Sequence, residues 1–176
     1  MIRRLHPIED ESLLREAFEW DAYAPSWYAD SDSIFRPGSI EEYLQLAKGE
    51  DQIDVGVFDE DLVGLITISR RGDKIYEAHL SAKRGTNVEF LAEAGFQVRE
   101  QLFEIGMNVG FVWVAQKNLH VKKLCELVGF LPDGLMMLRG SYNVKMLDGT
   151  IHYKPIEWVR MRTTRNQWES EQRMAA

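Results

Sequence analysis

Residues 109–115 read Val-Gly-Phe-Val-Trp-Val-Ala, a run without a polar side chain. A strand with one wet face alternates apolar and polar residues. A run like this one has to be covered on both faces, which places it in the middle of a sheet with neighbours on each edge. The rest of the chain must supply the cover, and its 176 residues suffice. One domain is the simplest reading of that length, and it buries about 70% of the surface its unfolded form exposes. Cys125 is the only cysteine, so no internal disulfide forms. No Cys/His spacing supplies the four ligands of a structural zinc site, and His6, His120 and His152 follow no metal-binding pattern.

The remaining elements follow from periodicity. Ile2 to Leu5 reads as a short strand. Pro7 and Glu9-Asp10-Glu11 suit the start of a helix that Leu13, Leu14, Ala17 and Phe18 continue. From Tyr23 to Gly38 periodicity is lost, two prolines intervene, and aromatics mix with Asp30 and Asp32, which reads as a long loop and a candidate substrate lid. Ser39 with Glu42 forms a capping box for a helix that Gly49 stops. Strands are expected at Ile53 to Phe58, Leu62 to Arg70 and Lys74 to Ser81. The turn-like Asp59-Glu60-Asp61 and Arg71-Gly72-Asp73 between them make an antiparallel meander the economical pairing. Phe90, Leu91, Ala94, Val98, Leu102 and Ile105 give a long amphipathic helix closed by Gly106.

After the buried strand, Asn118 can cap a helix from Leu119 to Val128 that ends at Gly129. Beyond the turn-like Pro132-Asp133-Gly134, Leu135 to Met146 and Thr150 to Met161 form a hairpin across Asp148-Gly149. The domain is expected to span residues 1–162, with 163–176 a polar, helix-compatible tail.

Two stretches carry a resemblance. One is the third meander strand and the loop after it, Tyr76 to Asn87, running into the long helix. The other is Asn118 to Phe130, an asparagine, a short helix and then Gly129-Phe130. With the order of elements, they make the chain resemble the GNAT superfamily of N-acetyltransferases from Ile2 to Arg162. The resemblance implies an α/β (α+β) fold with a mixed, mostly antiparallel central sheet flanked by helices. It also implies acetyl-coenzyme A as cosubstrate, without a metal. The pantetheine arm would enter as a pseudo-strand between the last meander strand and the buried strand, beside Leu80, Ser81 and Ala82, with Asn118 nearby. The pyrophosphate would sit on the loop Lys83, Arg84, Gly85, Thr86 and Asn87, where helix-start amides and the helix dipole favour anions.

The superfamily's loop pattern is Gln or Arg, two residues, Gly, one residue, then Gly or Ala. Arg84 fills the first place, whereas Asn87 stands at the first Gly and Glu89 at the small residue. An alternative alignment takes Gly85 as the phosphate glycine and leaves Ala82 and Asn87 at the flanking places. A glycine lets backbone approach phosphate, Asn tolerates left-handed geometry better than most residues, and a carboxylate at Glu89 repels phosphate.

Acetyl transfer needs a neutral amine, and an unperturbed lysine is uncharged in only about 0.04% of molecules at pH 7. A general base removes that handicap. Glu77 and His79 fall on the strand that carries this function in the superfamily, and strand alternation gives them one face. Both are candidate bases; the other reading of each is a paired sheet residue or a satisfied interior histidine. In the superfamily a tyrosine on the short helix often protonates the leaving thiolate, and here that place holds Cys125, a candidate acid or a packed thiol.

Trp27, Tyr28 and Asp30 are candidate substrate residues that would attract and stack a cationic amine. Arg3-Arg4, Arg70-Arg71 and Lys122-Lys123 read as solvated charges. The acceptor class stays open among small amines, amino acids, aminoglycosides, peptide N-termini and protein lysines.

The net charge of −7 repels phosphate backbones, so nucleic acid is not an expected partner. No apolar run approaches the ~20 residues of a spanning helix, so no membrane is expected. Acidic residues 9–11 interrupt the start before an apolar region of signal-peptide length, and the lone cysteine fits a reducing compartment, so a cytoplasmic location is expected. Tyr142, Tyr153 and Trp158 on the hairpin are candidates for lining the acceptor site or for meeting a second copy of the chain as a homodimer. The sequence is also similar in character to acetyltransferase-like proteins of short-tailed bacteriophages, some associated with virion morphogenesis. That likeness implies a fold kept for protein contacts.

Overall fold

The structure, a computed structural model, describes residues 1–22, 39–116, 118–145 and 151–175, with side chains at all of these except 21–22, 134–145, 151–156 and 175. The apolar run is a strand with the bounds the sequence predicts, and it lies inside a seven-stranded sheet. In chain order the elements are β1 (Ile2–Leu5), α1 (Glu11–Ala22), α2 (Ile40–Ala47), β2 (Gln52–Asp59), β3 (Asp61–Gly72), β4 (Ile75–Ala82), α3 (Val88–Glu104), β5 (Val109–Ala115), α4 (Leu119–Leu127), β6 (Leu131–Lys145), β7 (Ile151–Thr164) and α5 (Arg165–Ala175). The strands are ordered β1-β2-β3-β4-β5-β7-β6, and only the β4–β5 pair is parallel. A mixed, mostly antiparallel sheet with flanking helices is the fold class expected from the sequence.

Alternation along the meander strands sorts their side chains into two cores. Val55, Val57, Ile66, Ile68 and Tyr76 pack with Leu91, Val98, Leu102 and Phe103 of α3 and with Leu124 of α4. On the opposite face Leu62 and Leu65 pack with Leu14 and Ala17 of α1 and with Tyr43 and Leu44 of α2. Ser39 caps α2 as predicted, accepting a bond from the Glu42 amide at 3.1 Å. Gly106 ends α3 with φ +105°, a left-handed conformation that a side chain would oppose. Ile105, expected on the apolar stripe, is instead the exposed C-cap.

The C-terminal region departs from the sequence reading. Pro132-Asp133-Gly134 is not a turn ahead of the hairpin. It lies within β6, where a register shift between Pro132 and Met137 absorbs it. An edge strand tolerates such a bulge and a proline without a ladder amide. β7 runs on to Thr164, and residues 165–175 are helical and packed on α3. The Trp168 ring stacks on Phe103 with centroids 5.7 Å apart, and Arg99 Nη2 donates to Glu171 at 2.6 Å. Residues 146–150, with the Asp148-Gly149 turn, lie outside the described residues. Among those described, no helix is long and apolar enough to cross a membrane.

Candidate active site

β4 and β5 part company inside the sheet. Their ladder covers Ile75↔Val109, Tyr76↔Gly110 and Glu77↔Phe111 and then stops, although β4 continues to Ala82 and β5 to Ala115. The other edge of β4 stays bonded to β3 as far as Gly64↔Ala82, and Lys83 N–H donates to Val63 C=O at 2.9 Å. That bond fixes the phase of the strand. Backbone groups alternate in direction, so those of residues 77, 79 and 81 face β3, and those of Ala78, Leu80 and Ala82 face β5 across the opening. The opening leads into a cavity of about 360 Å³ between the diverging strands, α3 and α4. Ala78, Leu80, Ala82 and Trp113 line it from the strands, and Asn118, His120 and Cys125 from the α4 side. Its size falls within the range of small-ligand sites.

Glu77 and His79 do share a face, the one toward α1 and α2, because their β3 partners Ser69 and Thr67 are in phase with Leu65, which packs on that face. Glu77 is buried, and its Oε2 accepts from Arg71 Nε at 2.6 Å. Arg71, expected to be a solvated charge, is therefore part of the site. Burial pushes the Glu77 carboxyl above its ordinary range, opposed by Arg71 and, more weakly, by His79. A carboxylate titrating closer to neutrality suits a proton acceptor. His79 lines the cavity and stands opposite Thr67 in the register.

Thr67 belongs to a buried cluster that the sequence reading did not single out. Tyr43 donates its hydroxyl to Asp54 Oδ1 at 2.5 Å, Thr67 donates to the same oxygen at 2.7 Å, and Gln52 donates to Oδ2 at 3.0 Å. Asp54 and Thr67 are paired across β2 and β3, so this cluster abuts the His79 position. The signal was an aspartate inside an otherwise apolar strand.

Cys125 also lines the cavity, and burial, then the charge of Glu126, pushes its thiol up to about 12. It is protonated at neutral pH. It is also a weaker acid than an ordinary thiol, which argues for a wall of the cleft over a proton donor.

The loop after β4 bends at Gly85, with φ +91°. Thr86 donates its amide to Lys83 C=O at 3.1 Å and its hydroxyl to the same oxygen at 2.7 Å. Lys83 Nζ lies 3.5 Å from Glu16 of α1. Arg84 is exposed. Asn87 is the N-cap of α3: its Oδ1 accepts from the amides of Glu89 at 2.7 Å and Phe90 at 3.3 Å. Two of the first three helical amides thus bond the chain's own side chain, and an arriving phosphate would compete with Asn87 for them. Ser81 is buried on the α1 face, away from the cavity. Asn118 caps α4, accepting from Val121 N–H at 3.1 Å, which leaves its amide nitrogen available at the mouth. Trp27, Tyr28 and Asp30 lie outside the described residues.

Two further residues line the cavity, Tyr76 and Arg99. Arg99 had a legible signal, since Ala92, Gly95, Arg99 and Phe103 follow one helical stripe and the other three are small or apolar.

No protein-family model and no curated protein matches the chain. Solved structures do. A spermidine N-acetyltransferase SpeG mutant from Vibrio cholerae superposes with TM-score 0.66 at 16% identity, covering 96% of each chain. An acetyltransferase of GNAT family from Streptococcus pneumoniae gives 0.63 at 18% identity, over 93% of this chain and 98% of its own. A probable acetyltransferase from Staphylococcus epidermidis gives 0.68 at 14% identity, over 93% and 98%. At these identities the likeness is one of fold, and the fold is that of GNAT acetyltransferases.

Proposed function

We propose that the chain is an N-acetyltransferase that moves an acetyl group from acetyl-coenzyme A to a primary amine by direct attack in a ternary complex. The observation that carries this reading is the end of the β4–β5 ladder at Glu77↔Phe111, with a cavity behind it. Buried backbone groups are nearly always bonded, so a sheet left open in its interior calls for an occupant with its own donors and acceptors. The two amides of a pantetheine arm supply them. Ala78, Leu80 and Ala82 fit the arm; the loop fits the pyrophosphate only in part, because Asn87 holds two helix-start amides.

In this reading the arm fills the plane of the sheet and its thioester lies beside Glu77 and His79. Either residue takes the proton that the amine loses, directly or through water. The amine nitrogen forms the new bond to the acetyl carbon, the carbon–sulfur bond breaks, and the leaving thiolate takes up a proton. Trp27, Tyr28 and Asp30 are proposed to receive the acceptor. Spermidine is the substrate in the name of the Vibrio cholerae neighbour, which supports an amine acceptor here.

A second reading has one observation in its favour. A cap that occupies the phosphate-binding amides, with Glu89 beside it, suits a fold kept for protein contacts, as in a phage morphogenesis or host-interaction protein. Thermal unfolding separates the two. Acetyl-coenzyme A at about 100 times its dissociation constant stabilises by about 2.7 kcal/mol, which raises Tm by roughly 5 to 11 °C for a chain of this size. A flat scan at millimolar ligand favours the second reading. Lost turnover in Glu77→Gln or His79→Ala at unchanged stability identifies the base, and wild-type turnover in both removes that assignment.

A further inference from the structure

The sheet face that carries Glu77 continues past the opening onto β5 and β7. Phe111 pairs with Glu77 on one edge and with Arg162 on the other. Residues opposed in a ladder share a face, so Glu77, Phe111 and Arg162 form one row across three strands. Trp113 and Arg160 stand opposite each other in the next row. Met161, between the two arginines, is buried in the α3 core, which fixes the side on which both guanidiniums lie. The Arg160 guanidinium sits over the Phe111 ring, 5.8 Å from its centroid.

The ion pairs on this face leave one guanidinium over. Glu77 accepts from Arg71 at 2.6 Å. Asp133 takes two bonds from Arg160 on a single oxygen, from Nε at 3.0 Å and from Nη2 at 2.5 Å. Arg162 reaches that same oxygen only at 4.0 Å, beyond hydrogen-bonding distance. Its side chain is 50% exposed, so its N–H groups are open to a ligand, whereas that of Asp133 is 12% exposed. Two guanidiniums thus share one carboxylate, two strand spacings or about 10 Å from the candidate base. The cofactor does not call for this charge, since the six residues of β4 from Glu77 to the phosphate loop at Lys83 span about 20 Å.

We infer that Arg162, backed by Arg160, binds a carboxylate of the acceptor, and that the acceptor is an amino acid whose amine and carboxylate lie a few bonds apart. Such an acceptor presupposes the acetyltransferase reading of the cleft and deepens it. A guanidinium fork meets a carboxylate through two parallel N–H···O bonds. With the carboxylate held there, the amine points back across Phe111 to Glu77 and His79. The amine nitrogen loses its proton to one of them and bonds to the acetyl carbon. The carbon–sulfur bond then breaks, and the carboxylate stays charged on Arg162 throughout. A polyamine would instead set a second ammonium against the unmatched guanidinium.

The test follows coenzyme A release by the full chain at saturating acetyl-coenzyme A, with each common L-amino acid, its own amide and spermidine as acceptors. The best amino acid is expected to exceed its amide at least tenfold in kcat/KM. Arg162→Gln changes a half-exposed side chain, so it should fold, and it should bring that ratio below about threefold by raising KM. Asp133→Asn removes the competing carboxylate, so the KM for the amino acid should drop about threefold or more. Amides or spermidine used as well as the amino acids, an unchanged ratio in Arg162→Gln, or a raised KM in Asp133→Asn overturns the inference. If acetyl-coenzyme A raises Tm and no amino acid is preferred to its amide, only the acceptor class falls. If acetyl-coenzyme A leaves Tm unmoved and no acceptor is acetylated, the acetyltransferase reading falls and takes the acceptor class with it.

Discussion

β4 meets its two neighbours on different terms. Toward β3 it is paired from Ile75 to Ala82, while toward β5 the ladder lasts three positions. Strand-forming tendency does not separate the two edges, since β5 is the most apolar strand of the sheet. The difference lies in what surrounds the edges. The β3 edge is held by side chains on both faces, Ile66 and Ile68 in the α3 core and Leu65 in the α1 core. The β5 edge instead faces a cavity, and Phe111, Val112 and Trp113 are only half-buried although they lie in mid-sheet. An interior edge left without ladder bonds marks where a ligand can add a strand of its own.

The largest expected effect breaks the closed half. Phe103 is fully buried between Tyr76 and Trp168, with ring centroids at 6.3 and 5.7 Å. Phe103→Ala should cost about 3–5 kcal/mol in urea unfolding; a loss under about 1 kcal/mol would mean that α5 does not buttress this end. Ala78→Phe acts on the open half. Its ring would fill the cavity beside the last ladder pair, weakening acetyl-coenzyme A binding at least thirtyfold while stability falls by about 1–3 kcal/mol. Unchanged affinity would place the ligand elsewhere.

Smaller effects sharpen the contrast. Asn87→Gly gives up the cap for a few tenths of a kcal/mol and frees the amides of Glu89 and Phe90, so affinity for coenzyme A should rise severalfold as Tm drops slightly. Weaker binding would show that Asn87 itself contacts the ligand. The smallest effect concerns Glu77. Its pKa in the folded state is raised, chiefly by burial, so its contribution to stability is fully present below the ordinary carboxylate pKa and is lost as pH rises through the raised value. The urea midpoint of the parent, relative to that of Glu77→Gln, should therefore fall as pH rises from about 4.5 toward neutrality. A relative rise would reverse the assigned sign.

Much of this was readable from the residues. The Val109–Ala115 run, the meander, the Ser39 cap and the long helix follow from periodicity and capping chemistry, because those signals are local. The Pro132-Asp133-Gly134 bulge was not, since only the pairing with β7 shows that the chain continues as a strand through it. The C-terminal helix read as a tail because its polar composition hides Trp168, whose stacking on Phe103 anchors it. Asn87 was legible as a displaced glycine but not as the cap that holds the amides. Arg71 was read as a solvated charge because nothing in its spacing reveals that β3 and β4 bring it to Glu77.

The claim on which the rest depends is that the β5-facing edge of β4 holds a pantetheine arm, and amide hydrogen exchange at Leu80 and Ala82, with and without coenzyme A, tests it most directly. Rapid exchange at both amides is expected in the free protein and strong protection of Leu80 or Ala82 when coenzyme A is added, with residues 77, 78, 79 and 81 protected throughout. Amides at 80 and 82 that are already protected without ligand, or that stay unprotected with it, would contradict the account.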